Sequence, residues 1–176
     1  MIISDKSRFD SESFKRELNR IWNVNVQYIV YDKTRKLIVE EFLSYADTDY
    51  KFFVFNGKAR LCYVASPIGK ITGHSSEKRY TYYQLDYSLD ANHSWIKLPL
   101  TLDNHPTDDV VCPINLQEMI KVAEILASDF PFLRVDLYSD GRQIKVGELT
   151  PFPHAGAGVY RPVEYDYLFG NWLTLP

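Results

Sequence analysis

The chain has 176 residues, a net charge of −3 and 45% hydrophobic residues, enough for a real core in one domain, or one and a part. The slightly acidic balance offers neither a nucleic-acid groove nor a patch for an anionic membrane surface. No apolar run reaches the roughly 18 residues of a membrane span and no signal-peptide pattern opens the chain, so the expectation is a cytoplasmic protein without a membrane span.

After Met1-Ile2-Ile3 and a charged stretch, Asp10 or Ser11 can cap a helix through about Trp22, with Phe14, Leu18 and Ile21 on one face. Residues 36–43 read as a buried strand interrupted by charge, followed by a polar hinge from Ser44 to Thr48. Tyr50 to Phe55 turns at Asn56-Gly57 and returns as Ala59 to Ala65. Asn-Gly between two strand-like runs is the strongest short-range hairpin signal. Residues 67–80 read as a mobile Gly/Ser/Lys-rich loop. Residues 81–112 are Tyr-rich and Pro-punctuated, with no assigned element. Asn115 can cap a helix through about Ser128, with Leu116, Met119, Ile120, Ala123, Leu126 and Ala127 near one face. The tail from Arg161 is rich in Pro and aromatics. Mixed helices and antiparallel hairpins make the fold class α+β.

Cys62 and Cys112 are isolated, without CxxC spacing, and read as reduced packed thiols. His74, His93, His105 and His154 show no metal-ligand spacing, so zinc is not expected.

The most informative segment is Arg134-Val135-Asp136, followed by Glu148 in Gly147-Glu148-Leu149-Thr150. It reads as two strands joined by a Ser139-Asp140-Gly141-Arg142 turn, each carrying a carboxylate. Two adjacent carboxylates repel, and a divalent cation between them removes that penalty. Hard oxygen ligands suit Mg²⁺, which takes one or two carboxylates plus substrate phosphates. The small-residue loop from Thr150 to Gly158 follows directly, and such loops let backbone N–H groups approach a charged ligand. A strand–turn–strand with an Asp and a Glu is also compatible with ordinary solvated surface, and the loop with a plain connector.

Register decides between these readings. With Asp140-Gly141 as a two-residue turn, Leu133, Val135, Leu137, Ile144 and Val146 share an apolar face, and Arg134 and Asp136 point the other way. Glu148 then falls on the apolar face. A one-residue slip brings it round to the Asp136 face, because the side-chain period is two. Gly147 is the position that tolerates such a bulge. A bulge or kink near Gly147 is therefore expected.

Five blocks carry a family resemblance. They are Asp5-Lys6-Ser7, the run Ile38 to Leu43, the run Asp49 to Lys58, Arg134 to Tyr138, and Gly147-Glu148-Leu149-Thr150. Their order resembles ATP-grasp enzymes, most closely the TupA-like branch associated with teichuronopeptide and other surface-polysaccharide biosynthesis. Arg-x-Asp followed by Glu-x-(Asn/Thr) is also similar to D-alanine–D-alanine ligases. The resemblance implies ATP and Mg²⁺ as cofactors, and carboxylate and amine substrates joined through an acyl phosphate. It matches Glu40, Glu41 and the backbone through Leu43 to the hinge that holds adenine, and Asp49 to the residue on the ribose hydroxyls. Lys78 or Arg79 matches the basic residue on the phosphates. Asp136 and Glu148 match the Mg²⁺ ligands, Thr150 stands where many relatives have Asn, and Arg134 matches the residue that stabilises acyl-phosphate charge.

The resemblance implies that the chain is the C-terminal part of a larger ATP-grasp fold. Residues 1–66 would form a lid-like subdomain with hinge and hairpin, and residues 67–176 the Mg-site subdomain. It would then be a truncated product, a fragment, or a domain completed by a partner chain or a second copy. The competing class is a degenerate, non-catalytic nucleotide- or partner-binding module. A glycosyltransferase is a third and lesser reading, suggested by the polysaccharide context; Asp47-Thr48-Asp49 has DxD spacing but sits at the mouth of the Asn-Gly hairpin and makes no convincing sugar-nucleotide site.

Overall fold

A computed structural model describes residues 10–23, 43, 48–67, 78–86, 94–100 and 110–176. Contacts divide the chain into Met1–Ser44 and Tyr45–Pro176. In the first unit, helix α1 spans Ser11–Asn23. Asp10 is its cap: the Asp10 carboxylate accepts the Glu12 N–H at 3.0 Å, which satisfies one of the orphan donors of the first turn. The expected strand within residues 36–43 lies outside the described residues except for Leu43, which is half-buried.

The second unit is built on a six-stranded, all-antiparallel sheet in the order β4-β3-β2-β1-β5-β6. The strands are β1 (Asp49–Phe55), β2 (Lys58–Pro67), β3 (Lys78–Asp86), β4 (Ser94–Lys97), β5 (Phe132–Ser139) and β6 (Ile144–Thr150). The α+β class is as expected, and β2 pairs with β3 across the 66/67 position without a break in the sheet.

The β1–β2 hairpin closes on Asn56-Gly57, with φ of 47° and 76°. Both values are left-handed, as a type I′ turn requires. Part of the stretch read as a mobile loop is strand instead: β2 runs to Pro67 and β3 begins at Lys78. The Tyr-rich run beyond it supplies the rest of β3, and β4 follows.

Helix α2 (Leu116–Leu126) buries Leu116, Met119, Ile120 and Ala123. These pack with Phe52, Val54, Cys62, Val64, Tyr83, Leu133, Val135 and Leu137 on one face of the sheet. Asn115 precedes the helix, but its side chain makes no capping bond. It exchanges two hydrogen bonds with the Ser139 hydroxyl, at 2.8 and 3.0 Å. The cap expected from sequence is thus spent on tying the start of α2 to the end of β5.

The opposite face is aromatic. Phe53, Phe55, Leu61, Tyr63 and Tyr82 meet Leu98, Leu100 and Phe169 there, with Tyr160, Tyr165, Trp172 and Leu173 against them. Phe169 lies on α3 (Glu164–Gly170), a helix that the Pro- and aromatic-rich tail did not announce. Both cysteines are free; Cys62 is fully buried, and burial pushes its thiol well above the ordinary range.

Met119 sits at the centre of the α2 face with no exposure. Met119→Ala is expected to cost about 2–5 kcal/mol, the usual range for emptying a packed core position. Urea unfolding should show this as a lower midpoint at an unchanged slope.

Candidate functional site: an ion-paired carboxylate cluster

The site depends on one irregularity. In the β5–β6 ladder Asp136 faces Glu148 and Leu137 faces Val146, so Gly147 is an extra residue with no partner across the ladder. This is the bulge expected at Gly147. Arg134 lies opposite Thr150, and Arg134, Asp136, Glu148 and Thr150 therefore share one face. Glycine is needed here for space: a Cβ at Gly147 would lie 2.6 Å from Cε2 of Tyr138.

The connecting loop differs from the expected two-residue turn. Ser139 pairs with Ile144, which leaves four residues, Asp140 to Gln143. The Asp140 carboxylate accepts the backbone N–H groups of Gln143 and Arg142 at 2.7 and 2.8 Å. These bonds hold it below the usual carboxylate range. Val146, assigned to the apolar face, is 51% exposed, because among the described residues β6 is an edge strand beyond the cover of α2.

Asp136 is only 1% exposed, so its charge must be met inside the protein. The Arg134 Nε donates to Oδ1 at 2.7 Å and Nη2 donates to Oδ2 at 2.9 Å, a bidentate pair. Nη2 also donates to Glu148 Oε2 at 3.3 Å and to Thr150 Oγ1 at 3.0 Å. The Thr150 hydroxyl donates to Glu148 Oε1 at 2.7 Å. From β1, Lys51 lies opposite Asp136 and donates from Nζ to Oδ2. The same ammonium contacts Asp49 Oδ2 at 2.5 Å.

Burial alone would lower the Lys51 and Arg134 pKa values. Hydrogen bonds to the carboxylates outweigh it, so both cations end above their ordinary values. Tyr138 borders the cluster, its phenol pushed up by burial and then by the Asp49 charge.

The fold thus brings together Asp49, Arg134, Asp136, Glu148 and Thr150. Lys51, which sequence reading passed over, links the two buried aspartates. Its signal was the Asp49-x-Lys51 spacing, which places both residues on one face of a strand. Glu40 and Glu41 lie outside the described residues, and Leu43 belongs to the other unit. Lys78 and Arg79 open β3, with their backbones opposite Pro67 and Ser66.

Beyond Thr150 the chain makes a left-handed turn, with φ of 52° at His154, 54° at Ala155 and 76° at Gly156. This conformation disfavours side chains with a Cβ, at a cost of order 1–3 kcal/mol per residue. The turn borders a pocket of about 220 Å³ lined by Phe53, Phe55, Phe132, Tyr160 and Phe169 among others. Phe53 is the cross-strand neighbour of Arg134, so this pocket and the cluster lie on the same face.

Among the described residues no three His, Cys, Asp or Glu side chains enclose a metal position. A hard cation here would rest on Asp136 and Glu148, with water and phosphate oxygens filling the other positions. That donor set suits Mg²⁺.

The TupA-like ATP-grasp family model matches residues 1–174. The chain belongs to the TupA-like ATP-grasp family. No curated protein and no solved structure gives a match. An ATP-grasp-related function follows from membership, and the six-stranded antiparallel sheet with its helices is consistent with an ATP-grasp-like fold. No helix among the described residues is long and apolar enough to cross a membrane.

Two outcomes are expected from this geometry. Gly147→Ala forces the Tyr138 ring aside and should cost about 1–3 kcal/mol, the range for overpacking, measured by thermal or urea unfolding. The lowered Asp140 pKa stabilises the fold above the unfolded value of 3.8, and that contribution is lost as pH falls through the folded value. Asp140→Ala should therefore be less stable than the parent at pH 7, and the two unfolding curves should converge as pH drops below 3.8.

Proposed function

We propose that this protein is an ATP- and Mg²⁺-dependent carboxylate–amine ligase acting in the synthesis of a surface polysaccharide or peptide-modified polymer. The observation that carries this reading is the bulge at Gly147, which turns Glu148 onto the face of Arg134 and Asp136. A regular ladder would have separated the two carboxylates.

In the proposed reaction the terminal phosphoryl group of ATP passes to a substrate carboxylate, giving an acyl phosphate and ADP. An amine then attacks the acyl carbon, the amide forms, and phosphate and a proton leave. Phosphoryl transfer of this kind depends on positioning and on neutralising charge, with little covalent chemistry left for side chains. Asp136 and Glu148 would hold Mg²⁺, which supplies charge neutralisation on the phosphates. Arg134 is fixed by its bidentate bond to Asp136 and by Thr150, and it would present its guanidinium beside a metal held by Asp136 and Glu148. There it would stabilise negative charge on the acyl phosphate. Thr150 orients Glu148 through its hydroxyl. In the proposed scheme Asp49 contacts the ribose hydroxyls and Lys78 or Arg79 meets the phosphates.

A degenerate binding module is the second reading. The intact Asp136–Glu148 pair favours the ligase, because a site released from metal binding has no need to keep two facing carboxylates at a bulge.

Calorimetry with Mg-ATP on the chain and on Asp136→Asn/Glu148→Gln separates the two. The ligase reading expects Mg²⁺-dependent binding by the parent and at least a tenfold loss in the double variant. Binding that is indifferent to Mg²⁺ and to both substitutions would favour the degenerate module.

A further inference from the structure

Lys51 is an unusual neighbour for a metal ligand. Its Nζ lies between Asp49 Oδ2 and Asp136 Oδ2, and its side chain is 14% exposed. Asp136 itself is almost fully enclosed, and Arg134 already occupies both of its oxygens from the other side. Three carboxylates, Asp49, Asp136 and Glu148, thus face two cations, Lys51 and Arg134. The two buried carboxylates are the ones that Lys51 bridges, whereas the Glu148 side chain is 58% exposed. An ammonium is a compact charge on a flexible stem. It can stand between two carboxylates as a divalent ion would, and it can leave by rotating its stem, which a guanidinium locked in a bidentate pair does less easily.

A metal ion approaching Asp136 therefore meets a positive charge already seated on Oδ2, in surroundings where screening by water is weak. We propose that Lys51 is an internal counter-cation that keeps divalent metal off Asp136 until a polyanion enters the site and gives the ammonium another partner. Metal is then taken up together with the nucleotide, not before it. Lys51 acts through Asp136 and is a positioning residue in this scheme. The inference rests on the nucleotide reading above, but its test does not require turnover or nucleotide.

The experiment is titration of the nucleotide-free chain with Mn²⁺, followed by calorimetry, for the parent, Lys51→Ala, Lys51→Gln and Lys51→Arg. Lys51→Ala and Lys51→Gln should bind Mn²⁺ at least tenfold more tightly than the parent, and Lys51→Arg should not. Adding Asp136→Asn to Lys51→Ala should return the affinity to the parent level. Equal affinities across the series would overturn the proposal, since removing an ammonium that opposes the ion must let the ion bind more tightly.

If the neutral variants do not fold, the parent chain supplies the answer. Lys51 acetylation by an amine-reactive reagent, read by mass spectrometry, should stay unchanged across a titration with Mn²⁺ alone and change several-fold when inorganic tripolyphosphate accompanies the ion. A change with Mn²⁺ alone, or none with both, would overturn it. Mg-ATP binding by the parent is a separate reading. Its absence alongside tighter Mn²⁺ binding by Lys51→Ala would remove the ligase assignment and leave the counter-cation role standing.

Discussion

A single buried carboxylate organises the functional face of this sheet. Asp136 is enclosed on β5, between β1 and β6, and an isolated charge there would be costly. The fold answers with Arg134 two residues earlier on the same strand and Lys51 directly opposite on β1. Every other member of the site is placed through these contacts. Thr150 and Glu148 hang from the Arg134 guanidinium, and Asp49 is reached through Lys51. Such an arrangement is weak evidence for stability, because desolvating several charges consumes most of what their pairing returns. Its physical sense lies in specificity of geometry.

The two faces of the sheet divide the labour. Helix α2 covers one with aliphatic side chains, and the buried residues of β1, β2 and β5 point alternately to that side. The other is shared between an aromatic half, closed by the tail through Phe169 and Trp172, and the charged half around Asp136. Phe53 and Arg134 are cross-strand neighbours at the border between the two halves. The low polarity of the aromatic side strengthens the charge interactions beside it, since fewer water molecules reach them.

Much of this was legible in the residues. Asn56-Gly57 specified its hairpin because few dipeptides accept two left-handed conformations in succession. The bulge at Gly147 followed from a conflict between parity and chemistry: Glu148 could join Asp136 only through one extra residue. Other features were hidden. Asn115 carries a capping signature, yet its side chain is drawn to Ser139, because a tertiary partner outbids a local one. The four-residue loop was misjudged as two because Asp140 bridges it with side-chain bonds that periodicity does not encode. The helix α3 lies in a segment whose prolines and aromatics masked its period. Lys51 went unread because a lone lysine in a strand is normally surface, and only the pairing of β1 with β5 shows what it faces.

The bulge has a second consequence, for the company the sheet keeps. Among the described residues β6 ends the sheet, and its outer edge carries backbone groups that could template another strand. Exposed Val146 and Leu149 make that edge adhesive. The unpaired Gly147 interrupts the regular row of donors and acceptors between them, and Lys145 adds charge beside it. The irregularity that assembles the site therefore also blunts the edge against intermolecular sheet growth. A shortened strand lacking that residue would lose its facing carboxylates and gain a straight, sticky border at the same time.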